Sequence, residues 1–270
     1  MNEKACLALY GFCGERTSFL MRDAVIALLP AVGGAIVFQG WDAVRVLLSA
    51  VAACFLSDWG FVRLRGAAWD GSALVTGLLL GLLLPADCPW WAAALGGLAS
   101  MGCKTLSGGL GRNIWNPAAL GRALLMGFPS LRPAPLRAAA GRFLMGYTGG
   151  SLGEISSLLL LAGAAYLLVR HLLPLSITGP AFAAAFLTGT MIPNCDALAV
   201  LAWGGTAMTA CFLAVDPVSS PMGLGLQGLY GAACGACCTL AAYYFGGVAG
   251  ACAALLGLNL AFRCLERMFR

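Results

Sequence analysis

Between Asp216 and Arg263 the chain runs for 46 residues without a charged side chain. A helix that crosses the roughly 30 Å hydrocarbon core of a bilayer needs about 20 apolar residues. This stretch is therefore long enough for two spans, and Gly246-Gly247 marks the break between them. Shorter charge-free windows occur at 24–41, 46–57, 71–86, 88–103, 155–169, 171–195 and 197–215. Charged residues make up 10% of the 270 and hydrophobic residues 60%, with a mean hydropathy of +0.87. A soluble domain carries about 25% charge and could not enclose that much apolar surface. The chain is expected to be an all-α integral membrane protein. The same balance excludes a soluble enzyme, a secreted disulfide scaffold, a disordered chain and a nucleic-acid binder. No signal-peptide pattern is evident before the first long apolar run at Ala24.

The windows resolve into about ten segments at 23–40, 43–60, 73–85, 89–104, 117–128, 153–170, 175–191, 197–214, 221–244 and 247–264. Several are too short to cross a bilayer alone. They are expected to be half-helices, or to begin inside the protein. With both termini cytoplasmic, eleven of the sixteen Lys and Arg fall inside, as the positive-inside rule favours. Outside are Arg45, Arg132, Arg137 and Arg142; Arg122 lies within a segment. The segments divide as five (20–128), a linker (129–152) and five (153–264). An odd number per half inverts one half relative to the other.

Each half carries one polar interruption, Ser107-Gly-Gly-Leu-Gly-Arg-Asn113-Ile-Trp-Asn116-Pro117 in the first and Asp216-Pro217-Val-Ser219-Ser220-Pro221 in the second. Asn and Asp are favoured N-caps, and Pro is favoured at the first helical position. Both strings are thus expected to start helices at membrane depth and to aim free N–H groups at a shared site. Asp216 is the only acid between Asp196 and Glu266, and an intramembrane carboxylate is a functional candidate. The glycines at 108–111 lack the ending of a phosphate loop and the third glycine of a dinucleotide fingerprint. Ser151 and Glu154 form a capping-box pattern at the sixth segment. Most of the twelve cysteines lie in apolar runs and read as small hydrophobes, Cys234, Cys237 and Cys238 included. The single His171 excludes a multi-histidine metal site, and no metal ligand set is expected.

These strings resemble those of the RnfD/NqrB family, which takes in the RnfD protein of the Rnf electron-transport complex and the NqrB protein of the sodium-pumping NADH:quinone reductase. The matching stretches are Ile26–Ala31, Asp70–Gly77, Gly108–Ala118, Gly150–Glu154 and Asp216–Pro221, in the family's order, and RnfD is the closer match. The resemblance implies a multi-pass component of a bacterial cytoplasmic (inner) membrane. Its partners would be the lipid bilayer and the other membrane and peripheral subunits of an Rnf-type complex. Such complexes pass electrons between ferredoxin and NAD and move Na⁺ or H⁺. Members of the family bear FMN on the threonine of a Ser-Gly-Ala-Thr motif between their fifth and sixth helices. No such motif stands between Pro129 and Gly150 here. The expectation is therefore FMN or riboflavin held non-covalently by Asn113 and Asn116, with Thr148 as a substitute attachment point and Asp216 as the ion-coupling residue. Two other readings fit the same pattern: a small-solute channel or transporter of the inverted-repeat type, and a scaffold subunit without flavin.

Overall fold

The computed structural model describes residues 14–65, 71–107, 113–128, 150–193 and 195–268. Among these residues the structure is helical and no β-strand forms. Eleven described helices follow one another: α1 Gly14–Gln39, α2 Trp41–Arg65, α3 Ser72–Leu83, α4 Trp90–Leu106, α5 Pro117–Leu124, α6 Ser157–Val169, α7 Leu175–Met191, α8 Ala197–Ala202, α9 Gly204–Met208, α10 Leu224–Phe245 and α11 Gly247–Met268. A 3-10 turn extends α5 over Leu125–Gly127, another precedes α6 at Leu152–Glu154, and a π-helical turn extends α9 over Thr209–Leu213.

Four helices, α1, α2, α10 and α11, are each long and apolar enough to cross a bilayer. The chain is a multi-pass membrane protein. α3 has 12 residues and α5 has 8, hence about 18 and 12 Å of rise. α3 ends inside the protein, where the Leu83 carbonyl accepts from Arg122, and α5 starts there, capped by Asn116. α10 ends where Gly246 and Gly247 take φ of 94° and 55°, a left-handed pair that only glycine adopts without strain.

α2 packs on α3 and α4, and α4 on α5; likewise α7 packs on α8 and α10, and α10 on α11. The two sets meet through α1 against α6 and α5 against α11. Small residues permit the closest approaches. A Cβ on Gly231 or Gly235 of α10 would lie 2.2 Å from the Ile177 carbonyl or 2.1 Å from the Ala181 carbonyl of α7. In the other set, Gly97 of α4 sits against Ala50 and Ala53 of α2. With lipid as apolar as the side chains, such backbone contact supplies much of the helix association.

Candidate functional site

α5 begins as its sequence suggests. Asn116 Oδ1 accepts from the N–H groups of Ala118 (3.0 Å) and Ala119 (3.2 Å), and Pro117 takes the first helical position. The other end of the Asn116 amide reaches across to the other half: Nδ2 donates to the Leu213 carbonyl at 3.2 Å. That carbonyl lies at the end of the π turn, where Ala214 N–H bonds back five residues to Thr209 (2.8 Å). π turns displace carbonyls from the helical ladder. Two of them here find side chains instead, Leu213 from Asn116 and Ala210 from Thr178 Oγ1 (3.3 Å).

Asp216 departs from its expected role. It starts no helix; α10 begins eight residues later at Leu224, with Gly223 at its cap. Ser220 N–H bonds to the Asp216 carbonyl (3.0 Å), which closes one turn. The next donor would be residue 221, a proline, which has no N–H, so the helix stops after that turn. The carboxylate is absorbed by the turn itself: Oδ1 accepts from Val218 N–H (3.4 Å) and Oδ2 from Ser219 Oγ (2.9 Å). The rest of the non-helical stretch is satisfied from α10 and α11. Gln227 Nε2 donates to the Pro221 carbonyl (3.2 Å), Arg263 to the Val218 carbonyl (3.3 Å), and Met222 N–H donates to Glu266 (3.1 Å).

The two interruptions nonetheless meet. Asn113, Asn116 and Asp216 all line one cavity of about 370 Å³, walled by α1, α3, the start of α5 and the 171–174 connection. Its apolar walls include Leu28, Val75, Leu79 and Phe212. A volume of this order suits a small ligand or cofactor. Asn113 is buried, and its Nδ2 donates to the Trp115 carbonyl (3.3 Å). Among the described residues its Oδ1 is enclosed without a hydrogen-bond partner, an acceptor that a bound molecule would satisfy.

Four polar residues of the cavity were not marked as site residues by sequence alone: Ser72, Thr76, Lys104 and His171. Lys104, at the end of α4, pairs with Asp58 of α2 at 3.8 Å and hydrogen-bonds Ser72 of α3. Ser72 and Thr76 lie within the Asp70–Gly77 string, so the signal was in the sequence. His171 has φ of 56°, and among the described residues it is the one non-glycine in the left-handed region. Its N–H bonds to Leu168 (3.0 Å) and that of Leu172 to Leu167 (2.9 Å), the pattern that usually ends a helix with glycine. The neighbouring Arg170 is clamped to Asp23 of α1 at 3.1 Å, and Asp23 also accepts from Tyr166 (2.8 Å).

Away from the cavity, a second polar cluster gathers around the far part of α5. Arg122 is wholly buried, and its Nε donates to the Leu83 carbonyl at the end of α3 (2.8 Å). Glu154 is buried nearby, where it attracts Arg122 and accepts from Ser151 N–H (2.6 Å) and the Trp203 ring. The Ser151–Glu154 capping box closes the 3-10 turn, and α6 proper begins only at Ser157. Thr148, Arg132, Arg137 and Arg142 lie outside the described residues.

Comparison with known proteins agrees with the motifs. The model of the NQR2, RnfD, RnfE family matches residues 10–270. The chain is 31% identical to the D-subunit of the ion-translocating oxidoreductase complex of Stutzerimonas stutzeri, over 80% of each protein. It is 28% identical to the D-subunit of the proton-translocating ferredoxin:NAD(+) oxidoreductase complex of Clostridium ljungdahlii, over 92% of this chain and 88% of the relative. It is also 28% identical to the D-subunit of the Na(+)-translocating ferredoxin:NAD(+) oxidoreductase complex of Acetobacterium woodii, over 93% and 88%. Equal likeness to a proton and a sodium system favours neither ion. A match across nearly the whole length, with the polar strings gathered on one cavity, establishes that this chain belongs to the NQR2, RnfD, RnfE family.

Proposed function

We propose that this chain is the D-type membrane subunit of an ion-translocating ferredoxin:NAD oxidoreductase complex. In this reading it sits in the cytoplasmic membrane with both termini cytoplasmic, and residues 20–128 and 153–264 form inverted halves. It holds FMN or riboflavin non-covalently in the cavity that the two polar interruptions share. The observation that carries the reading is that meeting, together with the unsatisfied acceptor on Asn113.

The residues fit such a group. The apolar walls would accept a flat ring and Asn113 Oδ1 would accept from a ring N–H, while Asn116 fixes the start of α5 beside them. A flavin would supply the redox chemistry, while the protein supplies position and electrostatics. NAD and ferredoxin would be handled by partner subunits. Asp216, on the same cavity, is the candidate for ion coupling. Its carboxylate accepts two local hydrogen bonds, from Val218 N–H and Ser219 Oγ.

The test is Asp216→Asn in membrane vesicles that carry the assembled complex. The variant retains an acceptor for Val218 N–H but loses the charge. Ferredoxin-driven NAD reduction is expected to continue with ion uptake reduced at least tenfold. Normal uptake by an assembled variant would remove Asp216 from the ion path.

A further inference from the structure

We propose that the second half has a binding site for one ordered water, a small chamber at the π turn in which the Thr209 hydroxyl holds it and through it anchors that turn. The inference does not depend on what the larger cavity holds.

The π turn Thr209–Leu213 faces two spaces. Its Cys211 and Phe212 line the cavity shared by the two polar interruptions, while Thr209 and Ala210 line a separate chamber of about 10 Å³. α7 closes that chamber with Ala181 and Ala185, α9 with Gly205 and Thr206, and α10 with Gly235 and Thr239. The space is of the size that takes a single water.

The polarity of the chamber agrees with its size. A serine or threonine in an apolar helix commonly donates its hydroxyl to the carbonyl one turn back. Ser100 and Thr105 of α4 do so, to Gly96 and Met101, each at 2.8 Å. Thr206 reaches the Val200 carbonyl at 2.7 Å. Thr209 is only 5% exposed, yet among the described residues its Oγ1 has no hydrogen-bond partner. A buried hydroxyl left unmet is costly, and an orphaned one points to a bound water.

A buried water needs two to four polar partners. Thr206 and Thr239 line the chamber beside Thr209. A hydroxyl that donates keeps its acceptor lone pairs, so Thr206 can accept from the water while it serves Val200. Among the described residues no charged side chain lines the chamber, which suits a neutral occupant rather than an ion. Cys234 lines it too and shares a hydrogen bond with the Tyr230 hydroxyl, which donates to Asn259 of α11. The water thus stands at the end of a buried polar chain that runs through α10 to α11, and it ties the π turn to that chain.

The experiment is a crystal structure of the purified full-length protein, at a resolution that shows ordered waters, for wild type, Thr209→Val and Thr209→Ser. Wild type and the serine variant are expected to show one peak at hydrogen-bond distance from the hydroxyl of residue 209, and the valine variant none. Amide exchange over 209–214 is expected to be about threefold to tenfold faster in Thr209→Val than in Thr209→Ser, the worth of one hydrogen bond. An empty chamber in wild type, with the Thr209 hydroxyl turned onto the Gly205 carbonyl, overturns the inference. So does a peak that vanishes when choline replaces sodium, which would make the occupant a cation. Equal exchange in the two variants overturns the anchoring role. The wild-type map decides the occupant even where the valine variant fails to fold.

Discussion

Asn116-Pro117 and Asp216-Pro217 share the same local grammar, a capping side chain followed by proline, yet they fold differently. The first opens an eight-residue helix and spends the spare end of its amide on a carbonyl in the other half. The second closes a single turn and spends its carboxylate on that turn. The difference lies downstream. Ala-Ala-Leu follows Pro117, and each residue supplies an N–H. Pro221 stands four residues after Pro217 and cannot. A cap-plus-proline string sets where a helix can begin, while the next few donors decide whether it continues. One result is a fixed structural joint and the other a carboxylate on a short turn at the same cavity.

The comparison is open to attack at three points. The largest effect is expected for Asn116→Ala. It removes an N-cap, worth about 1 kcal/mol, and leaves the buried Leu213 carbonyl without a donor, at about 1–3 kcal/mol. Thermal unfolding in detergent should show a combined loss of about 2–4 kcal/mol; a loss below about 1 kcal/mol would mean the joint is not structural. Next comes Pro221→Ala, which restores the missing N–H. Amide exchange over 218–224 should slow as the turn extends into α10, at an overall cost of about 0.4–1 kcal/mol from the freer unfolded chain. Unchanged exchange would show that something other than Pro221 stops the helix. The smallest effect on stability is expected for Asp216→Asn, within about 0.5 kcal/mol, because Asn keeps the acceptor for Val218 N–H and the Ser219 hydroxyl can turn to accept from Nδ2. A large destabilisation would make Asp216 a joint like Asn116.

Much of the helical plan was legible in the sequence because the apolar runs are long and their ends are marked by charge, proline or glycine. α7 was expected at 175–191 and forms over Leu175–Met191, and the Gly246-Gly247 break falls where predicted. The interior of the eighth segment was not legible. Its division into α8, α9 and a π turn depends on partners such as Thr178 and Asn116, which are distant in sequence. The helix expected at Asp216 failed because the motif was read from its first two residues. Asn113 and Asn116 stand out in the sequence because their side chains are polar where neighbours are not, and both line the cavity. Lys104 was counted only as an orientation signal, His171 only as the absence of a metal site, and Arg122 only as a charge interrupting a span. Their places in the cavity or the buried cluster come from contacts between separate helices, which no local pattern encodes.

The central claim is that this chain holds a flavin without a covalent bond, in the cavity where its two interruptions meet. Acid precipitation of the purified protein tests it most directly, with absorbance and fluorescence read on supernatant and pellet. The account predicts flavin in the supernatant, none in the pellet, and a clear fall in released flavin from Asn113→Ala. Flavin that stays with the pellet, or none in either fraction, would contradict it.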